Sequence, residues 1–311
     1  MLYLKPPLTL EQQADLLLQR GMTGEQSLII ERLAVVNYYR LSGYWHTFRN
    51  LPDHAFQKNT TFEKVWDRYA FDRRLRLLVM DAIERVEIAV RAGLAYQHAH
   101  ANPNPFAYSE DPSVLAGLRS DDRNRFLATL ADELAGSKET FAEHFRNTYG
   151  DKHAYMPVWM ATEIMTFGHV LTLYRGSSQP IKRAVAAPFK VHDTVLGSWL
   201  LTLNTIRNIC AHHGRLWNRS LGVRPQIPIA RNDPRWHDPV PVTNDRMFGI
   251  LTILRHCLQC IAPQSGWASR FDALLNDYSY IPRGSMGFPS NWRECPIWTP
   301  TPTQNGGDDA K

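Results

Sequence analysis

The chain has 311 residues, 44% of them hydrophobic and 21% charged, an ordinary globular composition with ample material for a core. Four cysteines are too few for a disulfide scaffold at this length, no run of about 18 apolar residues offers a membrane span, and the opening MLYLKPPLTLEQQ lacks a basic then apolar leader. A cytosolic protein with reduced thiols is expected, and its net charge of +5 is compatible with a polyanionic partner without pointing to one.

The elements read as helices almost throughout, which predicts an all-α fold. LTLEQQADLLLQRG opens with Thr9 and Gln12 at capping-box spacing and closes on Gly21. TGEQSLIIERLAVVNYYRLSGYW repeats the spacing with Thr23 and Gln26. A long helix is expected across TTFEKVWDRYAFDRRLRLLVMDAIERVEIAVRAGLAYQHAH. There Leu75, Leu78, Val79, Ala82, Ile83, Val86, Ala89 and Val90 recur at three-four spacing until ANPNPF stops it. Two shorter polar helices are expected over 112–150, and one apolar helix from Met156 through PVWMATEIMTFGHVLTLYRG, with Pro157 in its first turn. Segments 193–213 and 245–262 are further helices, separated by the proline-rich LGVRPQIPIARNDPRWHDPVPVTN. The terminal TPTPTQNGGDDAK has the composition of a disordered tail. The expected layout is an N-terminal helical extension over 1–58, a helical core over 59–263 and a C-terminal segment over 264–311.

The chemistry concentrates in RNICAHHGRLWNR, residues 207–219. Taken as one helix over 199–217, the segment places Trp199, Leu203, Ile206, Cys210, His213 and Trp217 on an apolar face, His213 at its edge. The opposite arc holds Asn204, Arg207, Asn208, His212 and Arg215 and no acid. Such an arc suits an anion with several acceptor oxygens, as in a phosphodiester. Arg207 and His212 flank it about 140° apart on an ideal helix, too far to grip one small ion together. Two such helices, antiparallel across a two-fold, would set two Arg and two His around one groove. Neutral imidazole can take the proton of a 2′-OH, its cation can protonate the leaving oxygen, and arginine can stabilise the charge on phosphorus. No metal or other cofactor is required. The residues equally fit an amphipathic helix that ends with Gly214 at the C′ position and two last-turn histidines.

Several other groups could matter. Glu84, Glu87 and Arg91 share one face of the long helix: Glu87 and Arg91 form an ordinary i,i+4 pair, or Glu84 or Glu87 orients Arg207 or His212 from a facing helix. Glu163, among hydrophobes, is a third acid that could do so. Arg40 and His46 in YYRLSGYWHTFR make a second, looser Arg–His pair, but a structural role is favoured, with the aromatics as core anchors rather than base-stacking platforms. Cys257 and Cys260 read as buried thiols rather than half a zinc site, and His98 and His100 do not share a helix face.

RNICAHHGRLWNR resembles the Arg-x4–6-His motif of HEPN-domain endoribonucleases. KPPLTLEQQADLLLQRGM, NYYRLSGYWHTFR, FDRRLRLLVMDAIERVEIAVRA, MPVWMATEIMTFGHVLTLY and MGFPSNWRECPIW follow, in order, the pattern of the abortive-infection family of the AbiD/AbiF kind. The resemblance covers roughly residues 5–297. It implies a HEPN-like helical bundle in a bacterial phage-defence protein that cuts RNA and arrests growth, working as a homodimer with a composite site. It implies Arg207 and His212 as the catalytic pair, with Asn208 as the polar residue inside the motif. RNA is the expected substrate, and an antitoxin, RNA or protein, is a further expected partner. Two other functions stay open: RNA binding or sensing without cleavage, and docking of an acidic protein partner by the basic arc.

Overall fold

A computed structural model describes Leu2, Leu4 and residues 6–50 and 52–299. The expected tail, Thr299 aside, lies outside the described residues. The fold is all-α, and among the described residues the only β pairing is two isolated bridges, Thr23 to Thr61 and Arg49 to Phe56.

Three short helices open the chain: α1 (Leu10–Gln19), α2 (Gln26–Val35) and α3 (Tyr38–Trp45). The Thr9–Gln12 capping box forms as expected. Its expected repeat does not: α2 starts after Glu25, without a side-chain cap, because Thr23 pairs its backbone with Thr60 and Phe62 instead. The stretch to Trp45 holds two helices. Val36 turns extended and Asn37 caps α3 by accepting from the Tyr39 N–H. These helices close a small core around Leu17, Ile29, Leu41, Trp45 and Val65.

The long helix is α4 (Phe62–Ala101), forty residues capped by Thr61. Its three-four stripe faces the core as expected, with Leu75, Val79, Ala82, Ile83, Val86 and Val90 buried and Leu78 and Ala89 half-buried, and it forms the axis of the molecule. The others are α5 (Ala107–Glu110), α6 (Ser120–Gly136), α7 (Thr140–Tyr149), α8 (Val158–Ile164), α9 (Phe167–Gly176), α10 (Gln179–Ala186), α11 (Asp193–Ala211), α12 (Met247–Ile261) and α13 (Trp267–Asp277). Against α4 lie α3 and α8 to α13. The apolar helix expected from Met156 is two helices. Met165 is extended and Thr166 caps α9 by accepting from the His169 N–H, so the chain turns between them. One continuous core runs from Phe71 to Trp298 and takes in the C-terminal Trp292, Ile297 and Trp298. No described helix is long and apolar enough to cross a membrane.

His98 is buried, hydrogen-bonded to Ser177 at 2.7 Å and lowered by burial to about 4, whereas His100 is exposed and stacks on Tyr96. Cys257 is fully buried, and Cys260 is half-buried, its sulfur 3.8 Å from His256 Nε2. Burial raises both thiols above their ordinary values.

Candidate functional site

The apolar face of α11 is buried as read: Trp199, Leu203, Ile206 and Cys210 all point into the core. Burial pushes the Cys210 thiol up to about 12, which leaves it inert. The helix does not reach 217. It ends at Ala211, with His212 as the C-cap and His213 in the left-handed region at φ 57°. The His213 N–H donates to Cys210 O at 2.9 Å and the Gly214 N–H to Ile209 O at 2.7 Å, the two bonds of a Schellman ending. The C′ residue is therefore His213, not Gly214. Glycine is needed one residue later, where a Cβ would stand 2.9 Å from Ile209 Cγ2 and 3.1 Å from Ile209 O.

This ending corrects two expectations. His213 is exposed, not packed at an apolar edge, because the left-handed residue swings the chain off the helix axis. Arg215 and Trp217 follow the helix rather than belong to it, so their helical angles do not apply. Trp217 is nonetheless buried, and Arg215 donates to the carbonyl of Gly43 in α3.

The loop after the helix is held by a carboxylate the sequence reading passed over. Asp72, in α4, is fully buried. It accepts from the Trp217 N–H at 2.6 Å, the Leu216 N–H at 3.1 Å, the Tyr44 hydroxyl at 2.7 Å and Arg76 Nη1 at 2.6 Å. Burial pushes its pKa up while these four donors pull against that rise. Arg76 also reaches Gly214 O, at 3.5 Å. Arg68 closes the other side, 3.7 Å over the Phe48 ring and 4.7 Å over the Trp217 ring. A sequence signal existed: Asp72 and Arg76, i and i+4, fall on the same stripe as Leu75 and Val79, where charge is costly unless paired.

The result is a cavity of about 400 Å³ between α3 and the end of α11, lined by Asn37, Arg40, Gly43, Tyr44 and His212 to Arg215. No acid lines it. Arg40 Nη1 donates to His213 O at 2.8 Å. His212 is exposed and opens onto this space. A second cavity of similar volume lies between α6 and α9 and contains His169. That ring is committed on both sides, Nδ1 to Glu133 at 2.8 Å and Nε2 to Thr129 at 2.8 Å, so the first cavity holds the more available imidazoles.

The expected site residues divide. His212 and Arg215 reach the cavity. Arg207 and Asn208 stand on the adjoining surface of α11, Arg207 Nη1 3.5 Å from Asn208 Oδ1, and Asn204 lies further up the helix. The structure brings none of Glu84, Glu87 and Glu163 to Arg207 or His212. Glu87 pairs with Arg91 at 2.7 Å, and Arg91 also reaches Thr162 O, while Glu84 and Glu163 are exposed. Among the described residues, no carboxylate pairs with Arg40, Arg207 or Arg215. The second Arg–His pair separates: Arg40 lines the cavity and His46 does not. Of the nearby aromatics, Tyr44 and Trp45 are core anchors as expected, while Tyr39 is exposed. No group of three or more His, Cys, Asp or Glu among the described residues could hold a metal ion.

A family model described as Abi-like protein matches residues 31–218, more than half of the chain, from α2 through α3 and α4 to the end of the motif loop. No curated protein and no solved structure matches the chain.

Proposed function

This chain belongs to the Abi-like protein family, and from that premise we propose that it is an endoribonuclease of abortive-infection phage defence, a toxin that arrests growth when released from control. An antitoxin, RNA or protein, would supply that control. The observation that carries the reading is His212, exposed in an acid-free cavity beside Arg40 and Arg215 and at the end of the helix that bears Arg207. In the chemistry proposed, a neutral imidazole takes the 2′-OH proton as O2′ bonds to phosphorus. The P–O5′ bond breaks, and an imidazolium returns a proton to O5′. Guanidinium groups stabilise the added charge on the phosphoryl oxygens. The products are a 2′,3′-cyclic phosphate and a 5′-OH.

No step in that sequence calls on a metal. Cleavage of an RNA oligonucleotide is therefore expected to survive EDTA, leave cyclic-phosphate ends and spare DNA, which lacks the 2′-OH. End-group analysis that finds only 3′-OH products, or activity lost in chelator, rejects the reading.

Within one chain Arg207 stays outside the cavity, and this favours two elaborations. The first is a homodimer. Leu201, Asn204, Thr205, Asn208, Ala211 and His212 bring one side of α11 to the surface, so a two-fold mate could add its Arg207 and His212 to the groove. Mixing active protein with an excess of the R207A/H212A double variant is then expected to depress activity beyond simple dilution. A proportional fall, or an active species that sediments as a monomer, removes the composite site. The second is a protein that holds RNA without cutting it. This is the outcome if RNA binds with strong salt dependence but no cleavage is found.

A further inference from the structure

One N-terminal helix, α3 with its cap Asn37, enters the motif site. We propose that Arg40 is a substrate-binding residue of this site, contributed by α3 of the same chain, and that it takes a phosphate of single-stranded RNA next to the one cut at His212. The inference rests on the ribonuclease reading above and adds to it a residue 172 positions outside the motif's own His212.

Three observations carry it. First, Arg40 and His212 line one cavity, together with His213, Gly214 and Arg215. Secondly, Arg40 is exposed and uses one donor, Nη1, on His213 O, and a guanidinium has five N–H donors in a planar fork. Among the described residues no carboxylate neutralises it. In the same wall the Tyr44 hydroxyl donates to Asp72 and Asn37 Oδ1 accepts from the Tyr39 N–H, while Arg215, which donates to Gly43 O, is half-buried and so less open to a ligand than Arg40. Thirdly, α3 is tied in place. Tyr44 and Arg215 tie it to α4 and to the motif loop, and Trp45 is fully buried, which fixes where the Arg40 side chain leaves the helix, while the His213 carbonyl holds its tip beside the cavity. The ligand that fits a positive, acid-free opening beside a ribonuclease imidazole is the phosphodiester chain itself.

A purely structural Arg40 would only pin the His213 carbonyl, and binding measurements separate the two roles. The probe is a fluorescently labelled, unstructured RNA oligonucleotide, titrated at several salt concentrations into the His212→Ala protein, so that nothing is cut. Adding Arg40→Ala is expected to weaken binding about tenfold, the effect of one charge-assisted contact at an exposed position. It should also reduce the slope of log affinity against log salt by about 0.7, the share of one phosphate on a single strand. Arg40→Lys is expected to keep the slope and recover part of the affinity, since the charge remains and the fork is lost. Equal melting temperatures confirm that the fold is intact. If Arg40→Ala leaves both affinity and slope unchanged, or lowers the melting temperature with no change in slope, Arg40 is a structural tie and the assignment is wrong while the ribonuclease reading stands. If the parent protein neither binds nor cuts RNA, the ribonuclease reading itself has failed and takes this assignment with it.

Discussion

Replacing His212 by alanine is expected to lower RNA cleavage by about 10²–10⁴-fold, the usual contribution of a positioned general acid or base. The fold should survive. His212 is the C-cap of α11, its ring is exposed, and the bonds that end the helix are made by backbone groups. The control is His213. Its left-handed backbone is a conformation glycine adopts without steric cost, so His213→Gly should leave stability unchanged or slightly raised. Single-turnover cleavage by the two variants, with melting curves beside them, decides between the rings. Loss of activity in His213→Gly with retention in His212→Ala would mean that the neighbouring histidine does the chemistry.

The largest effect on stability is expected at Asp72, which does not itself line the cavity. Asp72→Ala removes the acceptor for the Leu216 and Trp217 N–H groups and for Tyr44, and leaves Arg76 buried without its counter-charge. Removing one partner of a buried pair costs about 3–5 kcal/mol. For a chain of this size that is a fall in melting temperature on the order of 10 °C. Cleavage below the melting transition should fall as well, because the chain that follows His212 loses its anchor on α4. Asp72→Asn keeps the volume and one acceptor oxygen, so it should fall between the two. A melting temperature for Asp72→Ala within a degree or two of the parent would show that Arg76 and the loop find other partners, and would remove Asp72 from the account of the site.

These two residues differ in how visible they are along the chain. His212 stands in a polar run inside an apolar helix, and that contrast alone marks it. Asp72 was hidden in FDRRLR, where one acid among arginines reads as a surface pair. Its burial depends on α3 and the motif loop covering it from two sides. Arg40 is a third case. Its spacing in the sequence pairs it with His46, and the structure gives it a place in the cavity that His212 lines instead.

Helicity, the buried stripe of α4 and the buried face of α11 could all be read from local pattern, because the period of apolar residues follows from backbone geometry and needs no knowledge of the neighbours. So could the acid-free character of the motif. Periodicity says which face of a helix is covered, but not by what. The contacts that build the cavity join residues 28, 144 and 173 positions apart: Tyr44 with Asp72, Asp72 with Leu216, and Arg40 with His213. The end of α11 was legible to within one residue through Gly214, but not its exact place, since the bonds that stop the helix at Ala211 require His213 in a left-handed conformation that its residue type does not announce. Where a chain turns, and which distant side chain meets it there, is settled by the free energy of the whole packed arrangement. Asp72 is the clearest instance: a buried carboxylate is tolerable only once four donors from three separate segments have come together around it.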